Sequence, residues 1–144
     1  DVKKIRPKKN WVKYDNIHDL LKWGKIIILC ANHEKKIGEI IGKFEINLMK
    51  NKFFINTARG ELVNENDLIN AIEKDFFLGV ALDVICGELK KNKLEMFLKL
   101  KKSKNLILTP HIGGMTYESR KKTDIFIVDK FIKNITKANN NFNR

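Results

Sequence analysis

Three segments of the chain carry residue types that could act together. INTARGELV, Ile55 to Val63, presents Arg59; ALDVICGE, ending at Glu88, presents a carboxylate; LTPHIGG, ending at Gly114, presents His111. Each of the three residues stands just past an apolar run of β type, and open α/β sheets bind their ligands outside the carboxyl ends of the strands. A guanidinium holds a carboxylate through two parallel charge-assisted hydrogen bonds, fixing orientation as well as affinity, where the point charge of lysine fixes less. An imidazole exchanges a proton near neutral pH, and a carboxylate on its other nitrogen sets the tautomer and favours the charged form. The set suits an anionic substrate with an exchangeable proton. An acid–base pair of this kind contributes on the order of 10²–10⁴ in rate.

Taken singly, a strand-end Arg or Glu is more often a solvated charge, and a single His more often structural. In this order and at these three strand ends, the functional reading outweighs that one. Asp83, inside the second segment, also ends a strand-like run, GVALDV, where a turn or helix-capping role is equally open.

The elements that must position these residues follow from the apolar pattern. A short strand is expected near Trp11 to Tyr14, then a helix through Leu20 and Leu21 capped by Asp15 or Asn16. Ile26 to Cys30, Phe53 to Asn56, Val80 to Val84 and Leu106 to Leu108 read as strands. Their apolar character is continuous rather than alternating, which predicts strands covered on both faces and hence a parallel sheet. Asn64 to Glu73, with Leu68, Ile69 and Ile72, and Leu94 to Leu100 read as crossover helices, making right-handed βαβ units. A helix is expected from Tyr117 to Ile135. The chain divides into residues 1–116, carrying the candidate site, and 117–144, the closing helix.

The three ordered motifs, with Asp83, resemble the C-terminal part of the cofactor-binding domain of the D-isomer-specific 2-hydroxyacid dehydrogenases, the family that includes phosphoglycerate dehydrogenase. The resemblance runs from about the strand before Asp19 to beyond Arg120, most of the chain. It implies NAD as cofactor and a D-2-hydroxy acid or its 2-oxo acid as substrate. Arg59 then binds the substrate carboxylate, His111 exchanges the proton of the 2-hydroxyl and Glu88 supports His111. Asp83, the Thr57, Ala58 and Arg59 backbone, Ala31, His111, Gly113 and Gly114 fall where the family contacts the cofactor, and Asp1 falls near the acidic residue that holds its ribose. A homodimer is implied at full length. Three places depart from the family pattern: Lys25 replaces an aspartate, Cys30 to Asn32 stand where a His and a Pro are common, and Leu89 follows Glu88 where proline is usual. The second change touches the Ala31 contact. A non-catalytic NAD-sensing or corepressor-like module on the same fold is the competing reading.

No GxGxxG occurs: neither GEIIG, with Gly38 and Gly42, nor HIGG has that spacing or a strand–turn–helix setting. The expected fold class is therefore α/β, a partial Rossmann-like doubly wound parallel sheet lacking the first βαβ unit. The chain also begins at Asp1 without methionine. A fragment is expected, inactive by itself.

At 144 residues and 43% hydrophobic, the chain suffices for one core. A net charge of +12 ordinarily suggests nucleic acid. Here the lysines are dispersed among asparagines and isoleucines, the densest runs flank one expected helix, and no basic stripe interleaved with aromatics occurs, so nucleic acid is not an expected partner. The positive field would draw in anionic substrates. Cys30 and Cys86 form no CxxC, and His18, His33 and His111 have no metal-ligand spacing with them, so no metal is expected. Two cysteines fit a cytoplasmic location. The longest apolar stretch, Ile26 to Ala31, is far below the roughly 20 residues that span a bilayer, and no membrane is expected.

Overall fold

A computed structural model describes residues 12–32, 36–87, 91–102 and 104–142. Two compact units divide the chain, residues 1–110 and 111–144.

In the first unit the order is α1 (Ile17–Trp23), β1 (Ile26–Leu29), α2 (Lys43–Leu48), β2 (Phe53–Asn56), a 3-10 turn (Gly60–Leu62), α3 (Glu65–Glu73), β3 (Gly79–Leu82), α4 (Lys91–Lys101) and β4 (Leu106–Leu108). The strands form one parallel sheet in the order β1-β2-β3-β4. The β-branched and aromatic runs favour the pleated surface, and parallel pairing follows because each strand returns through a crossover. Local capping sets the helix starts. The Asn16 side chain accepts from the His18 N–H and opens α1, and that of Asn64 accepts from the Asp67 N–H and opens α3.

Strands added in one direction by right-handed crossovers place their helices on one face. That face carries the core: Ile27, Leu29, Phe54, Val80, Leu82 and Leu106 pack in one cluster with Leu21 of α1, Ile46 of α2, Leu68, Ile69 and Ile72 of α3, and Phe97 and Leu100 of α4. Phe54 and Phe97 are fully buried; truncating either to Ala would cost about 3–5 kcal/mol. The expectation of strands covered on both faces is corrected here. Along β1 burial alternates, Ile27 and Leu29 inside, Ile26 and Ile28 exposed; Phe53 and Ile107 are exposed beside them. Ile26, Phe53, Ile55, Ala81 and Ile107 line an open trough of about 730 Å³ on this second face. The apolar runs are continuous because both faces are apolar, not because both are covered among the described residues.

Residues 12–14 form no strand, although one was expected near Trp11 to Tyr14; Trp11 itself lies outside the described residues. The helix α2 was not anticipated. Its first turn is fixed by Glu45, whose Oε2 accepts the Gly42 N–H at 3.1 Å and whose Oε1 lies 2.8 Å from His18 Nε2 of α1. The His18 ring meets Phe44 edge-on at 5.0 Å. Burial pushes the Glu45 carboxyl up, but the His18 hydrogen bond and the backbone N–H groups of Glu45 and Gly42 outweigh it and hold the group below its ordinary value.

The second unit holds α5 (Tyr117–Phe142), about two turns longer than the apolar pattern indicated. Thr116 starts it, its Oγ1 accepting from the Ser119 N–H at 3.1 Å. Ile125, Val128, Phe131, Ile132 and Ile135 are exposed along it. No helix among the described residues is long and apolar enough to cross a membrane.

Candidate active site

The carboxyl ends of β2 and β3 lie side by side, because Asn56 pairs with Leu82 and the Asp83 N–H donates to the Asn56 carbonyl at 3.0 Å. The loop Thr57 to Arg59 leaves from β2. Its shape is set by Asn56, buried to 1% exposure: Oδ1 accepts the Ala58 N–H and Nδ2 donates to the Arg59 carbonyl, both at 3.0 Å. A buried amide that satisfies two backbone groups of one tight turn fixes that turn. Arg59 is exposed in extended backbone, and its Nη1 donates to the Ala58 carbonyl at 2.6 Å.

Gly60, next in sequence, packs against the neighbouring loop. A Cβ there would lie 2.1 Å from the Cys86 nitrogen and 2.2 Å from the Ile85 carbonyl carbon, so only glycine permits this approach. Glu65, at the start of α3, accepts the Cys86 N–H from the same loop. At the end of β3 the half-buried Asp83 accepts from the Thr109 hydroxyl at 2.5 Å, while the Thr109 N–H donates to the Leu82 carbonyl at 3.0 Å. Three consecutive strands are thus joined at their carboxyl ends, with Ala31 two residues past β1.

Of the residues singled out from the sequence, Thr57, Ala58, Arg59, Asp83 and Ala31 come to this one end of the sheet in the first unit. His111, Gly113 and Gly114 belong to the second unit. There His111 is exposed at φ 54°, a left-handed conformation that non-glycine residues seldom adopt. A turn closed by the Met115 N–H on the Ile112 carbonyl at 2.9 Å follows. Glu88 and Asp1 lie outside the described residues. Among the described residues no group of three His, Cys, Asp or Glu side chains is arranged to hold a metal. Asn56, Glu65 and Thr109 were not anticipated from the sequence. Nothing in their types marks them, and only the Asn directly before Thr-Ala-Arg-Gly hints at a turn-closing amide.

Chemically, the fixed Asp83 carboxylate is an acceptor suited to an amide N–H, and the Arg59 guanidinium is a donor fork suited to a carboxylate. Residues 2–113 match the family model of the D-isomer specific 2-hydroxyacid dehydrogenase, NAD binding domain. The chain belongs to this family. It is 39% identical over 109 residues to a glyoxylate reductase of Thermococcus litoralis, covering 75% of this chain and 31% of that protein. It is 30% identical over 134 residues to the D-3-phosphoglycerate dehydrogenase of Escherichia coli K12, covering 92% and 33%. The D-lactate dehydrogenase of Aquifex aeolicus, solved with NAD and lactic acid, superposes with a TM-score of 0.70 at 31% identity over 87% of this chain and 42% of that one. The chain therefore spans about a third of the length of these curated relatives. Its four-stranded parallel sheet is part of the family's Rossmann-like NAD-binding domain, the fold class expected from the sequence.

Proposed function

We propose that this chain is part of an NAD-dependent D-2-hydroxyacid dehydrogenase, interconverting a D-2-hydroxy acid and its 2-oxo acid. The observation that carries the reading is the joined end of β2 and β3, where the loop bearing Arg59 is held by a buried amide beside a fixed Asp83. The relatives' names, glyoxylate reductase, phosphoglycerate dehydrogenase and lactate dehydrogenase, support the same substrate class.

In this reading Arg59 clamps the substrate carboxylate and orients C2. His111 takes the proton of the 2-hydroxyl in oxidation and returns it to the 2-oxo oxygen in reduction, and Glu88 on its other nitrogen favours the protonated ring. The donor set at the strand ends of the first unit fits the nicotinamide end of the cofactor: Asp83 would accept from the carboxamide, and the Thr57 to Arg59 backbone and Ala31 would line it; the family resemblance assigns Gly113, Gly114 and Asp1 to the cofactor as well. The redox chemistry would be supplied by bound NAD, as acceptor of the C2 hydride in oxidation and, as NADH, its donor in reduction. The full-length protein acts as a homodimer, and the 144-residue chain alone is inactive.

The test is NADH oxidation by the full-length protein with a series of 2-oxo acids. Turnover is expected, and His111→Ala lowers kcat by about 10²–10⁴ with NADH affinity retained. No turnover with any 2-oxo acid, together with tight NADH binding, would favour a sensing module instead. Wild-type kcat in His111→Ala would remove the acid–base assignment.

A further inference from the structure

Glu65 is a buried ionisable side chain that the proposed reaction does not use. It is 5% exposed, and Asn56 and Glu65 are the two buried polar residues among those described. Burying a carboxylate is costly unless hydrogen bonds compensate it. One of those bonds is informative, because Glu65 Oε1 accepts the N–H of Cys86. The nitrogen so held is the same atom that a Cβ on Gly60 would strike. The Ile85–Cys86 peptide is therefore gripped from two sides, by the backbone of Gly60 and by the carboxylate of Glu65. Gly60 immediately follows Arg59. Asp83 is fixed independently, through its N–H on the Asn56 carbonyl and its carboxylate under the Thr109 hydroxyl.

We propose that Glu65 is a positioning residue for the Arg59 clamp: by holding the Cys86 N–H it seats the Gly60 backbone against the Ile85–Cys86 peptide and so sets where Arg59 stands relative to Asp83. The inference rests on the reading of Arg59 as the group that binds the substrate carboxylate. It separates two effects. Losing the Glu65 contact loosens the Arg59 loop, while Asp83, held from β2 and from Thr109, keeps its place. Substrate binding, which needs the Arg59 side chain, suffers more than nicotinamide binding, where the fixed Asp83 stands beside the Thr57 to Arg59 backbone.

The experiment compares Glu65→Leu, which removes the acceptor, with Glu65→Gln, which keeps an acceptor oxygen at the same reach, in the full-length protein. A charge-assisted hydrogen bond of this kind corresponds to on the order of tenfold or more in an equilibrium. Glu65→Leu is expected to raise KM for the 2-oxo acid about tenfold, with the NADH dissociation constant within about twofold of wild type. The half-buried Cys86 thiol becomes faster to alkylate relative to the exposed Cys30. Glu65→Gln restores most of both effects. A purely structural residue would instead lower the folded fraction, and with it the apparent kcat, leaving both constants unmoved.

Wild-type KM in Glu65→Leu, an equal rise in both constants, or a Gln variant no better than Leu overturns the proposal. If Glu65→Leu does not fold, amide hydrogen exchange at Cys86 in the wild-type protein decides: protection supports the tie, and exchange as fast as in an open loop overturns it. Absence of any 2-oxo acid turnover in wild type overturns the functional reading and this one with it, whereas wild-type turnover with an indifferent Glu65→Leu overturns this one alone.

Discussion

Asn56→Ala is the substitution whose cost can be worked most directly from the structure. The wild-type side chain is buried and closes the turn beyond β2 with two hydrogen bonds of 3.0 Å. Neutral hydrogen bonds of this kind contribute about 0.5–1.5 kcal/mol each, and a buried donor left without a partner costs about 1–3 kcal/mol. Ala58, whose N–H loses its acceptor, is itself buried. Together these put the loss near 3 kcal/mol, which for a domain of this size lowers Tm by about 10 °C. Calorimetry and urea unfolding at an unchanged m-value give the number, and kcat/KM for the 2-oxo acid falls as well because the Arg59 carbonyl is released. Asn56→Asp adds a sign. One oxygen still accepts from Ala58, but the other faces the Arg59 carbonyl, so burial and repulsion raise its folded pKa above the unfolded one. The penalty is then smallest below about pH 4, where the acid is protonated and can donate, and grows as pH rises through the folded pKa. A Tm within about 2 °C of wild type for Asn56→Ala, with kcat/KM unchanged, would refute the role given to this amide.

Gly60→Ala places a Cβ within 2.1 Å of the Cys86 nitrogen, so the two loops must part; soluble yield and 2-oxo acid turnover should both fall sharply, and a crystal structure with an unmoved Cys86 peptide would contradict this. Glu45 is depressed in the folded protein, so its stabilisation is present above its unfolded value, near 4.5, and is lost as pH falls through the lower folded pKa. Tm measured against pH should accordingly decline below about pH 4.5 in wild type and be flatter there in Glu45→Gln. Arg59→Lys keeps the charge but loses the planar fork, so KM for the 2-oxo acid should rise and kcat fall together; steady-state kinetics with unchanged KM would show that Arg59 is not the clamp.

Most of the sheet was legible in the sequence because its strands are unusually pure. Phe53–Asn56 and Leu106–Leu108 were found to the residue, and the strand expected at Ile26 to Cys30 ends one residue earlier, at Leu29. Asn16, one of the two caps the sequence offered, does open α1, and α3 was legible from the helical spacing of Leu68, Ile69 and Ile72. The six-residue α2 escaped because it is too short for a period, buries Ile46, and begins at a glycine rather than at a capping side chain. The strand expected near Trp11 to Tyr14 is not formed at 12–14, because pairing is a tertiary property and those residues pair with no strand among the described residues. For the site, Arg59 and Asp83 were legible as strand-end residues. The side chains that hold their loops were not. Asn56 and Glu65 differ from exposed Asn and Glu only in what packs around them, and burial of a polar group depends on distant segments such as Ile85–Cys86 rather than on local pattern.

The sheet's sequential order also bears on how the chain acquires its structure. Ile26 pairs with Phe53, Phe53 with Gly79 and Val80 with Leu106, so partners stand 27, 26 and 26 positions apart. Each pairing closes a loop of nearly the same length, at an entropic cost of about 3 kcal/mol beyond a constant. Among these four strands no closure is much harder than the others, so none of the three pairings dominates the barrier to forming them, unlike sheets in which a late strand inserts between early ones. The central pair, β2 with β3, is the natural nucleus, since the strands on either side can then add by closures of equal size. Conservative truncations at Phe54 and Val80 should therefore slow refolding, while truncations at Ile27 and Leu106 should mainly speed unfolding.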